Sequence, residues 1–232
     1  LQLGDFVQFG KHVNNDPMIW NVVKKENGRV MLFMTEPIKG KNGQYLKRPF
    51  DIKPDRKEPT DINREWYGSN NYAYSDIRKW LNKDYFNPAF YGKKSVADTK
   101  IDYILAEIDS KEATNGRESH IYNPSFQSSI QNYDTAYKGT VTDKVFLVSI
   151  DELVNVIEPV IGDKYYNHPY SYWTRDAYAY DGFSSYVRFV HTHNSISMFT
   201  ANSELYVRAA LYIDDSRRIR SGNGTVNNPY YI

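Results

Sequence analysis

The segment His168–Gly182, "HPYSYWTRDAYAYDG", gathers four tyrosines, one tryptophan, one arginine and two aspartates into fifteen residues. Aromatic faces stack on sugar rings, and carboxylates accept hydrogen bonds from hydroxyls, so this composition can build a ligand platform. It can equally be aromatic core with an arginine tied to an internal carboxylate, because a guanidinium fork satisfies several acceptors at once. The two halves of the string read differently. Trp173 and Arg175 fit the core reading, with Asp143 and Asp176 as the expected carboxylate partners of Arg175. Tyr178, Tyr180 and Asp181 precede Gly182 in a turn-like context and are the candidate ligand contacts.

Two further patterns carry possible chemistry. His191-Thr192-His193 places two imidazoles on one face of a strand, a spacing that can chelate a transition metal if His168, Asp181 or Glu204 supplies a third ligand. His193 is retained as a candidate ligand contact, and no metal site is assigned. "NREWYGSNNYAYS" (Asn63 to Ser75) is a second aromatic-polar cluster, in which Trp66 either contacts a ligand or plugs its loop onto the body. Other chemistries find no support. There is no Gly-x-Ser-x-Gly elbow, no phosphate-cradling glycine loop and no cofactor motif, so no cofactor is expected. The absence of cysteine excludes disulfides, thiolate metal sites and a cysteine nucleophile.

The chain of 232 residues has a net charge of +1, so no strong field draws it to nucleic acid or an anionic membrane. The basic runs "KRPFDIKPDRK" and "RRIR" (Arg217 to Arg220) are interleaved with acids and read as solvated surface. No apolar run approaches the ~20 residues needed for a transmembrane helix. Apolar content of 41% permits a sizeable core. The 21 tyrosines are the compositional anomaly.

The elements that position these residues are mostly strands. "GDFVQFG", "PMIWNVVKK" and "RVMLFMTE" form an expected three-strand meander (residues 4–10, 17–25 and 29–36), with Asn27-Gly28 as its hairpin turn. Residues 37–71 are polar and proline-bearing and read as a loop-rich insertion; so do residues 110–140. Ser75 is an N-cap for a helix whose Ile77, Trp80 and Leu81 share one face, and Asn82 with Asn87-Pro88 should end it. Ser95–Asp109 reads as a short helix or a strand. "KVFLVS" is a strand, and Ser149-x-x-Glu152 is a capping box for a helix that Pro159 should stop. "SSYVRFVH", "SISMFT" and "ELYVRAALYI" are the closing strands. The expectation is one α+β domain over 1–232, with a twisted, mainly antiparallel sheet, two or three flanking helices and long loops.

Four patches in order resemble a bacterial family of unknown function, DUF6273: "GDFVQFGK" with "PMIWNVV", "SDIRKWLNKDYFNPAF", "TDKVFLVSIDEL", and "YWTRD" with "LYVRAALYI". Members show a Trp-Trp-Leu-Arg-Ser-like string and a Gly-Val-Arg-Pro-Ala-Leu-like strand. Here Tyr172 replaces the first tryptophan, Asp176 the serine and Ala209 the proline. The resemblance implies a C-type-lectin-like fold, also used by the formylglycine-generating enzymes, with paired terminal strands and helices beside a twisted sheet. It marks Trp20, Trp80, Trp173, Arg175 and Arg208 as a structural signature. It supplies no activity. The lectin calcium strings are absent, since Glu158-Pro159-Val160 lacks the carboxamide and Trp20-Asn21-Val22 the acid; Asp214-Asp215 alone is weak evidence for a cation.

The expectation for function is a non-catalytic binding module, secreted or cell-surface, for a glycan or a protein ligand. The alternatives are a metal-dependent enzyme centred on His191 and His193, and a structural or assembly domain.

Overall fold

The computed structural model describes residues 1–52, 66–85, 96–103, 107–114, 117–121, 139–165, 168–180, 183–192 and 195–232. The meander forms as the sequence predicts: β1 (Phe6–Lys11), β2 (Pro17–Glu26) and β3 (Arg29–Met34). Asn27 and Gly28 both take positive φ, 48° and 72°, which makes the tight turn whose twist matches the strands it joins. Short β4 (Lys47–Pro49) lies inside the expected insertion. Further along come β5 (Thr99–Tyr103), β6 (Glu107–Thr114), β7 (Arg117–Ile121), β8 (Gly139–Asp143) and β9 (Val145–Leu147). The closing strands are β10 (Tyr172–Tyr180), β11 (Phe183–His191), β12 (Ser195–Thr200), β13 (Glu204–Tyr206), β14 (Ala209–Asp214) and β15 (Tyr230–Tyr231).

These strands make two main sheets. One has the order β15-β1-β2-β3-β14-β9, the other β12-β11-β10-β13-β4; β5-β8 and β6-β7 are separate pairs. Most neighbours are antiparallel, but β1 runs parallel to β15 and β10 parallel to β13. The result is a mainly antiparallel α+β domain. The β6-β7 pair falls where the sequence reads as loop. The signal that was available is Asn115-Gly116, the same hairpin dipeptide as Asn27-Gly28.

"ELYVRAALYI" is not one strand. β13 belongs to the second sheet and β14 to the first, and Val207-Arg208 carries the chain between them. Arg208 is why this crossing is stable. Its Nε and Nη2 donate to the Met34 carbonyl at 3.1 and 2.8 Å, while its guanidinium covers the Phe33 and Tyr172 rings at 4.4 and 4.8 Å. A buried cation thus gains a backbone acceptor and two aromatic faces, and it also bonds the Tyr172 side chain, which together offset its lost hydration. The buried indoles follow the same rule: Trp20 Nε1 donates to Phe9 O at 2.7 Å and Trp173 Nε1 to Arg48 O at 2.9 Å.

Two helical stretches flank the sheets. In the first, Ser75 caps Asp76–Lys79 by accepting from the Arg78 amide, and Ile77, Trp80 and Leu81 are buried. Asn82 does not end it. The chain continues as a π-helical turn, Trp80–Tyr85, and the Asn82 side chain instead donates to Val145 O and accepts from the Lys144 and Val145 amides. Asn87-Pro88 lies outside the described residues.

In the second, both halves of the Ser149–Glu152 capping box form. Pro159 does not stop this helix. A π-helical turn, Leu153–Ile157, precedes the α turn Glu158–Ile161, which has Pro159 in its first turn, where no amide donor is needed. Ser95–Asp109 resolves as strand at both β5 and β6.

His12 joins the meander to the first helical stretch. It is buried; its Nδ1 accepts from the Lys39 amide at 3.1 Å and lies 3.4 Å from the Tyr85 hydroxyl, which donates to Lys39 O. Burial first, then the Lys39 charge, push the imidazole from 6.5 down to about 4, against the opposing pull of Asp16 and Glu36. Above about pH 6.5 the imidazole is neutral whether the chain is folded or not, so this contribution is complete. As pH falls from there to about 4, the unfolded chain takes up a proton that the folded one refuses, and stability drops. The loss approaches ~3 kcal/mol by proton linkage. Urea midpoints measured from pH 7.5 to 4 should fall for the wild type and fall less steeply for His12→Asn; equal slopes would remove His12 as the cause.

Candidate functional site

Two surfaces bring together the residues that could act. The first is built by the loop 66–75 at one end of the five-stranded sheet. Its backbone is pinned by short polar side chains. Asp51, itself buried, accepts from the Ser69 amide at 2.8 Å and the Asp76 amide at 3.1 Å. Asn70 Nδ2 donates to Tyr178 O and Tyr186 O, and Asn71 accepts from the Ala73 amide. Asn202, in the turn between β12 and β13, donates its side-chain amide to Trp66 O and its backbone amide to Tyr67 O. Gly68 lets the loop lie flat. Its φ is +81°, and a Cβ there would meet Asp51 O at 2.7 Å.

Held this way, Trp66 and Tyr67 are exposed by 55% and 45%, and Tyr74 by 41%. Tyr178 pairs in register with Tyr186, and Tyr186 with Thr200, so Asn70 ties this loop to the strand end that carries the second aromatic cluster. Trp66 and Tyr178, 112 residues apart in sequence, therefore share one end of the sheet. Tyr178 is half-buried beneath the Arg188 guanidinium, 4.2 Å from its ring centre. Tyr180 pairs with Phe183 at the strand end; its side chain, Asp181 and His193 lie outside the described residues. The turn bearing His191 is at the other end of β11. His191 is five residues from Tyr186, about 17 Å along an extended strand, so His191 lies apart from the Tyr178–Tyr186 pair. His168 stacks on Tyr172 at 5.1 Å, and no three metal-ligating side chains come together among the described residues.

The second surface is an open groove of about 890 Å³ between the β2–β3 hairpin, β5, the Ser149 capping box and β10. Its floor is Arg175, which the bulge in β10 puts there. Trp173 pairs with Phe189 and Ala177 with Val187, so residues 174–176 oppose the single residue Arg188. The Thr174 hydroxyl takes the Arg188 carbonyl at 2.9 Å, and the Arg175 amide turns away to Val148 O.

The carboxylate that Arg175 meets is Glu152, not Asp143 or Asp176 as expected. Nη1 and Nη2 donate to the two Glu152 oxygens, Nη1 also to Leu147 O, and Nε to Asp102 O. Asp176 instead accepts from the Ile150 amide at 2.7 Å, and Asp143 binds Arg78 through a fork with contacts of 2.8–3.0 Å. The neighbouring acid pushes Arg175 up despite its burial. At the rim, the Tyr212 hydroxyl donates to Glu26 at 2.7 Å, and Lys24 binds the other Glu26 oxygen at 2.8 Å. Burial and that bond hold the Tyr212 hydroxyl above its usual range, while Lys24 holds Glu26 below its own. Sequence reading missed this groove because its walls come from five distant segments; the capping box was its one local signal. On its floor Arg175 is paired with Glu152, and at its rim Glu26 is paired with Lys24.

These features define an α+β fold in which the Tyr172–Asp176 string lies in the core, while Trp66 and Tyr67 are exposed. The model of DUF6273, a domain of unknown function, matches residues 30–215, and the chain belongs to that family. No curated protein and no solved structure matches it. Among the described residues no helix is long and apolar enough to cross a membrane. The five signature residues, Trp20, Trp80, Trp173, Arg175 and Arg208, are all buried.

Because Glu152 both caps its helix and neutralises Arg175, Glu152→Ala should cost about 3–5 kcal/mol, the usual effect of leaving one buried charge without its partner. Urea unfolding measures it. A loss within about 1 kcal/mol, the worth of a cap alone, would mean the ion pair adds little.

Proposed function

We propose that this chain is a non-catalytic binding module of a secreted or cell-surface protein, and that it takes a glycan on the aromatic end of its five-stranded sheet. The observation that carries the proposal is the exposure of Trp66 and Tyr67 on a backbone fixed by Asp51, Asn70 and Asn202. An exposed indole on a pinned loop loses little freedom when a sugar ring stacks on it, which favours binding. Nearby amides and hydroxyls suit the sugar's hydroxyl groups. A scaffold of the C-type-lectin-like kind fits the parallel pairing of β1 with β15, which brings the two terminal strands together, and the helical stretches beside the sheet. Localisation outside the cell follows from the proposed ligand.

The contact residues are then Trp66 and Tyr67, on a loop that Asn70 ties to Tyr178 O. Trp66→Ala and Tyr67→Ala should each weaken binding to a glycan found on an array by at least tenfold, about 1.4 kcal/mol, with the melting temperature unchanged. Wild-type protein that binds no glycan but captures a protein ligand through Trp66 would replace the glycan with a protein surface. Unchanged binding in both variants would end the proposal for this face.

A further inference from the structure

The segment after β14 reads Asp214-Asp215-Ser216-Arg217-Arg218-Ile219-Arg220, and its acids do not neutralise its arginines. Asp215 pairs with Lys25 at 3.1 Å. Asp214 turns back on its own chain, accepting from the Ser216 amide at 2.8 Å. No carboxylate among the described residues lies within ion-pair distance of Arg217, Arg218 or Arg220. The three arginines nevertheless line one concavity of about 480 Å³, together with Ile219 and Ile232.

The segment is fixed. The Arg220 amide donates to Tyr231 O and the Tyr231 amide to Ser221 O, which attaches the run to β15 and through it to β1. Two of the guanidiniums are also seated on rings, Arg217 over Phe9 at 5.0 Å and Arg220 over Tyr231 at 5.5 Å. A guanidinium seated on a ring face keeps its in-plane N–H edges open to acceptors. Burial and the charge of Arg220 push Arg217 down, with Asp214 opposing, so the cluster carries unrelieved repulsion. Three clustered cations attract an anion, and a tetrahedral oxyanion matches arginine forks.

We propose that Arg217, Arg218 and Arg220 form an anion site for a phosphate or sulfate group, borne by a soluble ester or by a lipid headgroup. The site lies on the β15–β1 edge of the six-stranded sheet and rests on different residues from the aromatic loop, so either can fail without the other.

The test is titration of the 15N-labelled protein with inorganic phosphate at pH 7, following the arginine Nε–H signals, against chloride at matched ionic strength. Phosphate should give saturable shifts at these three arginines that chloride does not reproduce. Arg218→Gln/Arg220→Gln, both exposed positions, should bind at least tenfold more weakly with an unchanged melting temperature. Shifts that match those of chloride, or equal binding by the double variant, would overturn the site. Two further arms identify the source. Competition by glucose 1-phosphate without sedimentation on phosphatidylglycerol vesicles supports a soluble ester. Sedimentation on those vesicles but not on phosphatidylcholine, lost in the double variant, supports a headgroup.

Discussion

The ion pair between Arg175 and Glu152 is the contact on which the two layers depend. Through one guanidinium it touches four parts of the chain: β10 of the five-stranded sheet, β9 of the six-stranded sheet at Leu147 O, β5 at Asp102 O, and the cap of the second helical stretch at Glu152. Only β9 and the cap are neighbours in sequence; β5 and β10 come from distant parts of the chain. The charge is buried, and a buried cation is tolerated only when its donors are used. Every element that supplies an acceptor must therefore be in place before Arg175 can go inside. This makes the pair a condition on the whole assembly rather than a local bond.

Arg208 repeats the device at the other crossing of the layers. It follows β13, precedes β14, and fills the gap between the sheets with a cation on Phe33 and Tyr172. A chain without cysteine has no covalent link between its layers. Here arginines bound to carbonyls and seated on aromatic rings tie the sheets together, which also gives a structural use to Tyr172, fully buried beneath Arg208.

Local chemistry was legible in the sequence wherever it was self-contained. The Asn27-Gly28 turn, the Ser75 cap and the Ser149–Glu152 box each involve residues within a few positions, and all formed. What escaped were features whose cause lies elsewhere in the chain. Asn82 looks like a helix end, but β9 uses its amide, so the helix widens into a π turn to deliver it. Pro159 looks like a stop, but a preceding π turn puts it in a new first turn. The continuous apolar run 204–213 conceals a change of sheet, because alternation says which residues are buried and not by which layer. In the candidate site, the exposed aromatics were visible as composition, while their convergence was not. It rests on Asn70 and Asn202 reaching backbone carbonyls more than 100 residues away.

The placement of those asparagines separates scaffold from surface. The loop 66–75 is held by backbone bonds, by the side chains of Asp51, Asn70, Asn71 and Asn202, and by the buried Tyr72. The side chains of Trp66 and Tyr67 take no part in those bonds; only their carbonyls do. Exchanging either aromatic therefore leaves the pins intact, whereas exchanging an asparagine frees the loop and leaves buried carbonyls without donors. A surface built this way can change its exposed rings without changing its scaffold. The core string from Tyr172 to Asp176 has no such freedom, because each of its polar side chains completes another element's hydrogen bonding. The constraint that makes "YWTRD" recognisable is the same one that keeps it in the core.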